Sequence, residues 1–322
     1  MTTEQRGRVT FGIKTSQANV TYDDILRVWL DADAIPVFEH AWLWDHMIPL
    51  RGDVNGAALE AWTLLAALAA QTTRLRLGIM VTSNRLRPPA VLAKMASTVD
   101  IIAGGRLEFG IGAGGSAVSD PVGLQMVHRE YDAYGIDVVA PGQAVSALGE
   151  ACSIIKRLWT EDEPFDFDGR HYRLKGAICE PKPVQRPGPP MLIGASGERT
   201  ALRVVAQHAD IWNCPTRGDL DEFRRKNAVL DEHCATIGRD PASIVRSVQF
   251  LVTGTDREAS PAAPGQAFPS VLGPARTREL LQEFIAAGAT HLVLAPAPPI
   301  PASNRAQWLA EEIVEPVLAA IA

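Results

Sequence analysis

Gly110-Ile111-Gly112-Ala113-Gly114-Gly115-Ser116 is the stretch whose reading decides the fold. It follows a strand-like run and matches G-x-G-x-x-G. Such a loop could open a dinucleotide-binding sheet or end a barrel strand. The first reading needs a helix beginning at the loop and an acidic residue about 20 positions on, at the end of a second strand. Neither condition is met: Pro121 and Gly123 break the segment that follows, and Glu130 stands in no strand-like run. A glycine loop after a barrel strand instead suits close approach of backbone to a flat ligand, or a tight turn with no ligand.

Working outward from the loop, strand-like and helix-like segments alternate along the chain, the pattern of a parallel sheet covered by helices. Strands are predicted at 10–14, 40–44, 75–82, 106–111, 190–194, 211–214, 246–252 and 291–295. Helices are predicted at 22–34, 59–71, 91–103, 142–159, 198–208, 220–237, 276–287 and 305–321. Pro88-Pro89 and Gly104-Gly105 give the third helix its start and stop. Val145, Leu148, Cys152, Ile155 and Trp159 form one apolar stripe on the fourth, and Leu309, Ile313, Val317 and Ile321 another on the last. Eight strand-then-helix units favour a (β/α)8 TIM barrel, a single domain over 1–322, against a doubly wound sheet. Three segments fall outside the repeat as insertions: 112–140 after strand 4, 160–189 between helix 4 and strand 5, and 255–274 after strand 7. In the second, alternation around Asp168-Gly169 reads as a β-hairpin. The third is rich in Pro, Ala and Gly and reads as a lid or a disordered excursion.

A chain of 322 residues is long enough for one large barrel, and 47% hydrophobic with 21% charged residues is a globular balance. A net charge of −6 without a basic run argues against nucleic-acid or anionic-membrane binding. No segment has the apolar length of a signal peptide or a bilayer span. Cys152, Cys179, Cys214 and Cys234 form no C-x-x-C pair, so reduced thiols in a soluble, cytoplasmic protein are expected.

Barrel enzymes place their sites where strands end, so the residues after each strand are the candidates. Ala41-Trp42-Leu43-Trp44-Asp45-His46 is aromatic and strand-like until it stops in a carboxylate and an imidazole. His titrates nearest neutrality of all side chains, which makes His46 the first catalytic candidate, with a strand cap as the structural alternative. After strand 5, Gly194-Ala195-Ser196-Gly197-Glu198-Arg199-Thr200 leads small residues into a helix, whose exposed amides suit a phosphate; an ordinary N-cap by Ser196 is the alternative. Ser196 is no nucleophile of the G-x-S-x-G kind, because Glu198 replaces the second glycine. No metal site is expected: His40 and His46, six apart on an extended chain, stand about 20 Å from each other.

Taken together, Asp45-His46, LGIMVTSNRLRPPAVLAK (77–94), GRLEFGIGAGG (105–115), RLWTEDEPFDFDGRHYRLKGA (157–177) and PMLIGASGERTALRVVAQHADIWN (190–213) resemble the luciferase-like monooxygenase superfamily, above all its coenzyme F420-dependent branch, over nearly the whole chain. The resemblance implies a tricyclic ring over the strand ends beside Asp45, Gly112, Ala113 and Gly114. A bulge at Met80-Val81-Thr82, often with a cis non-proline peptide, would back the ring. The phosphate would lie against Gly194, Ala195, Ser196, Gly197 and Thr200, and His46 beside the hydride-carrying carbon. Some sugar-phosphate dehydrogenases of this branch carry a glutamate where Gly114-Gly115 stand and an indole near 47–50; both are missing, which leaves the general acid unidentified. The implied activity is hydride transfer between F420 and a small organic substrate. The alternatives are an FMN-dependent monooxygenase fed by a separate flavin reductase, and a non-catalytic cofactor-binding barrel. A homodimer is the implied assembly.

Overall fold

In a computed structural model of the chain, the residues described are 7–50, 52–115, 121–216, 218–255, 271–297 and 304–321. Twelve strands are present among them: β1 (Thr10–Lys14), β2 (Phe38–Leu43), β3 (Arg76–Ile79), β4 (Thr82–Ser83), β5 (Leu107–Gly112), β6 (Phe165–Asp168), β7 (Arg173–Ala177), β8 (Met191–Gly194), β9 (Ile211–Asn213), β10 (Val245–Val252), β11 (Val271–Leu272) and β12 (His291–Pro296). Eight of them pair in parallel around a closed ring in the order β1, β2, β3, β5, β8, β9, β10, β12, with β12 returning to β1. Helices lie outside each crossover, so the expected (β/α)8 barrel is the fold. Strands β6 and β7 form the expected antiparallel hairpin.

The outer core is aliphatic and aromatic, sealed between strands and helices by side chains such as Ile13, Phe109, Leu148, Phe223 and Phe284. Inside the ring, Trp42, Met80, Leu192, Ile211, Val245 and Val293 make a separate plug. Beneath that plug the barrel turns polar. His40 and His291 stack at 3.9 Å, Trp42 donates its indole N–H to His40 Nδ1 at 2.8 Å, and Arg76 Nε donates to Glu108 at 2.6 Å. Burial and the neighbouring His291 hold His40 well below the usual imidazole range, so it stays neutral there.

Several boundaries differ from the sequence expectation, each for a local reason. The third strand is not continuous over 75–82: it stops at Ile79, the Met80-Val81 peptide is cis, and Thr82–Ser83 resumes pairing with β5. The second strand ends at Leu43, leaving Trp44 outside. The fifth helix starts at Ala201 rather than 198, with Thr200 as N-cap and no side-chain cap bond, so Ser196 does not cap it. A helix that sequence reasoning excluded occupies Pro121–Ala133. Pro121 begins that helix instead of breaking it, because the first helical position needs no N–H. The last helix is interrupted by a π turn at Ala310–Val314. Gly104 and Gly105 stand at φ 60° and 85°, the left-handed stop expected after the third helix. Of the third insertion, residues 256–270 lie outside the described residues; its last part forms β11 and the start of the helix Pro274–Ala286.

Candidate active site

Residues at or near the ends of seven of the eight barrel strands, all but β12, line one cavity of about 700 Å³ at the C-terminal mouth of the barrel. Its wall brings together Asp45 and His46 from the end of β2, Met80 and Val81 from the break after β3, Gly112, Ala113 and Gly114 from β5 and its loop, and Gly194, Ala195, Ser196, Gly197 and Thr200 from β8 and its loop. Those are twelve of the thirteen residues expected from sequence. The exception is Thr82: its side chain is fully buried, and its hydroxyl accepts the Trp62 indole N–H at 2.9 Å. The strand's alternation turns it away from the mouth and puts Ser83 in the wall instead. A second cavity, about 550 Å³, lies where β8 and β9 begin, between Lys156, Arg186 and Asp210, and gathers none of the candidates.

The wall is shaped to seat something flat. A Cβ on Gly112 would come 2.8 Å from Val81 Cγ2, and one on Gly194 3.0 Å from Val81 Cγ1, so glycine at both positions is what lets the Met80-Val81 step lie against β5 and β8. Gly114 turns at φ 88°. Beyond β8, a Cβ on Gly197 would meet only Ala201 at 3.5 Å, leaving open space in front of the loop. This cradle fits a planar ring with an anionic tail, the shape of a flavin or deazaflavin.

Asp45 ties the cradle to the scaffold. Arg87 donates to its two carboxylate oxygens at 2.8 and 3.0 Å, and the Ser83 amide donates to Oδ2 at 3.0 Å. Burial pushes the Asp45 carboxyl up from its ordinary value, and the Arg87 fork pulls it back. Arg87 also reaches Glu60, which caps the helix Ala61–Gln71 by accepting from Trp62 and Thr63 amides at 3.1 and 2.7 Å. The carboxylate of Asp45 is thereby committed to holding β2 against the resumed β4.

His46 has a partner that sequence reasoning missed. Glu130, nearly buried and carried by the helix Pro121–Ala133, places Oε2 3.0 Å from His46 Nδ1 and accepts the Met47 amide at Oε1, 2.6 Å. A carboxylate oxygen only accepts, so the proton of this bond sits on Nδ1 and Nε2 is left free of that contact. The Trp44 ring packs edge-on against His46 at 4.9 Å, and its buried indole N–H has no partner among the described residues. Tyr131, beside Glu130, bonds Ser83 Oγ at 2.9 Å and accepts the Gly115 amide at 2.8 Å, fastening the same helix to the glycine loop. Lys14, at the end of β1, also lines the cavity and donates to Gln249 Oε1 at 3.0 Å; burial pushes its ammonium down to about 8. Glu130 gave one sequence signal, an acid shortly after the glycine loop, but 84 positions separate it from His46.

Among the described residues no group of three or more His, Cys, Asp or Glu could hold a metal ion, and no helix is long and apolar enough to cross a membrane. All four cysteines are free and buried.

Known proteins share this architecture. Over 207 residues the chain is 33% identical to a phthiodiolone/phenolphthiodiolone dimycocerosates ketoreductase of Mycobacterium sp. (strain JLS), a match covering 63% of this chain and 50% of the relative. The match thus spans about half the length of that relative. An F420-dependent secondary alcohol dehydrogenase solved with an F420-acetone adduct superposes with a TM-score of 0.80 at 17% identity, over 97% of this chain and 99% of that one. A riboflavin lyase solved with modified FMN and riboflavin gives 0.75 at 16% identity, over 97% and 92%. At such identities the two structures speak for the fold alone. The sequence family described as luciferase-like monooxygenase matches residues 9–318, nearly the whole chain, and the protein belongs to that family.

Proposed function

We propose that the protein is an oxidoreductase that moves a hydride between coenzyme F420 and a small organic substrate in the cavity at the mouth of the barrel. The observation that carries the reading is the convergence, in one wall, of the cis Met80-Val81 step seated on Gly112 and Gly194, the open loop at Gly197, and the His46–Glu130 pair. When bound, a deazaflavin supplies the hydride-carrying carbon of its ring. The chain supplies everything else. Val81 and the two glycines give a flat backing. The amides of Ser196, Gly197 and Glu198, which have no acceptor in the chain among the described residues, face an anionic tail at the start of the helix Ala201–His208. His46 handles the accompanying proton at Nε2, while Glu130 fixes its ring and tautomer through Nδ1.

The F420-dependent alcohol dehydrogenase among the structural neighbours and the ketoreductase among the sequence relatives both support carbonyl–alcohol chemistry as the class. The second reading is a monooxygenase drawing reduced FMN from a separate reductase: the same cradle suits either ring, and the riboflavin lyase that shares the fold was solved with modified FMN. His46→Ala tests the assignment. Cofactor affinity should stay within a few-fold, because the loop amides do most of the anchoring, whereas turnover should fall by roughly 10²–10⁴. Loss of thermal stability with full activity per folded molecule would make His46 structural and move the proton-handling group to another residue of the cavity.

A further inference from the structure

The deep wall of the cavity holds a cation that the reaction described above does not use. Lys14 is the last residue of β1, and its ammonium donates to Gln249 Oε1 at 3.0 Å. Gln249 is the only hydrogen-bond partner of the ammonium among the described residues, and burial lowers its pKa. A lysine can only donate, so Gln249 must turn its carbonyl oxygen toward Nζ and its NH₂ group elsewhere. Both side chains line the cavity, and neither the Gln249 NH₂ nor the remaining Lys14 protons have an acceptor among the described residues. The protons these two side chains leave over for a ligand thus come from an amide and from a positively charged ammonium.

Its place in the ring says what it faces. Around the eight-strand barrel, β10 stands across from β3, and β1 across from β8. Lys14 and Gln249 therefore look across the mouth at the Met80-Val81 step and the loop at Gly194–Gly197, the surfaces that back the ring and its tail. A molecule between them would have its ring against one wall and its reaction partner against the other. A partly desolvated ammonium without a counter-charge is costly to keep, and that cost is relieved when a ligand brings a negative oxygen to it. A neutral carbonyl would satisfy the hydrogen bonds but not the charge.

We propose that Lys14 and Gln249 form a recognition subsite for a carboxylate carried by the substrate, so that this enzyme acts on organic acids rather than on wholly neutral alcohols or ketones. The proposal rests on the placement of the cofactor given above. The test uses a charged and a neutral probe of the same shape, benzoate and benzamide, titrated calorimetrically into protein saturated with F420 or FMN. The parent should bind benzoate roughly 10- to 100-fold more tightly than benzamide, the usual worth of a charge-assisted bond. Lys14→Met should bring that ratio to about one while leaving cofactor affinity unchanged. Gln249→Glu, which hands Lys14 an internal carboxylate, should do the same by a different route. A parent that does not discriminate, or a Lys14→Met protein that keeps the preference, overturns the subsite. So does a Lys14→Met protein that loses cofactor affinity but still prefers benzoate, because the cation would then serve the ring's own oxygens. If the parent binds neither cofactor, the proposed cofactor chemistry fails. The same benzoate and benzamide titrations on the protein alone then still decide for or against Lys14.

Discussion

At the scale of the residue, the site is a set of side chains whose bonds are settled before any ligand arrives. Glu130→Gln keeps the shape but offers an amide that can turn either its oxygen or its nitrogen to His46 Nδ1. The imidazole would lose its fixed tautomer, and turnover should fall roughly 10- to 100-fold with cofactor binding intact, the scale seen when a ring's orienting partner is removed; an unchanged steady-state rate would show that His46 needs no orienter. Lys14 makes a stability prediction of its own. Its ammonium is pushed down to about 8 in the folded chain from 10.5, so the unfolded chain binds more protons between those values and stability should rise as pH climbs through that window. Lys14→Met should be more stable than the parent at pH 7, by up to about 3 kcal/mol, with the gap closing above pH 8 to 10. Denaturant midpoints of both proteins across that range check it. His46 and Asp45 were legible in the sequence because a strand-like run stops just before them. Lys14 was not, since whether a strand residue points into the barrel depends on register, which one sequence does not reveal. Thr82 was misread for the same reason.

At the scale of the element, three pieces carry the site: the broken third strand, the loop after β8, and the helix Pro121–Ala133. The break is held by the Asp45–Arg87–Glu60 chain, so Arg87→Met would leave a buried carboxylate without its cation. A loss of about 3 kcal/mol or more in unfolding free energy is expected, against well under 1 kcal/mol if Arg87 were a surface pair. The loop makes a sharper prediction. Gly197→Asp puts a carboxylate into the open space before the helix Ala201–His208, where it would repel an anionic tail. Cofactor titrations should weaken at least tenfold with the circular dichroism unchanged, and overlaid parent and variant curves would show that the tail lies elsewhere. The break and the loop were readable from their glycines and from family resemblance. The helix was not, because Pro121 and Gly123 look like breakers when the first-turn tolerance for proline is left out. With that helix went Glu130 and Tyr131, and so the answer to what stands beside His46.

At the scale of the whole molecule, the barrel separates stability from chemistry. A dry ring of helices, a plug of six apolar side chains and a polar base hold the strands, and the loops above them are free to build a site. The alternation of eight strands and eight helices was legible because period and punctuation agree along the chain; boundaries were not, because capping and pairing move them by one to three residues. Assembly is a separate expectation: light scattering should give twice the 34.7 kDa chain mass at micromolar concentration, and a monomer would remove the dimer. Everything proposed for the site depends on the mouth of this barrel holding a deazaflavin or flavin. Fluorescence titration of the purified protein, run separately with F420 and with FMN, tests it most directly. Saturation is expected at one F420 per chain, tighter than FMN and lost in Gly197→Asp. Saturation by neither cofactor, or an F420 site that survives Gly197→Asp unchanged, would contradict it.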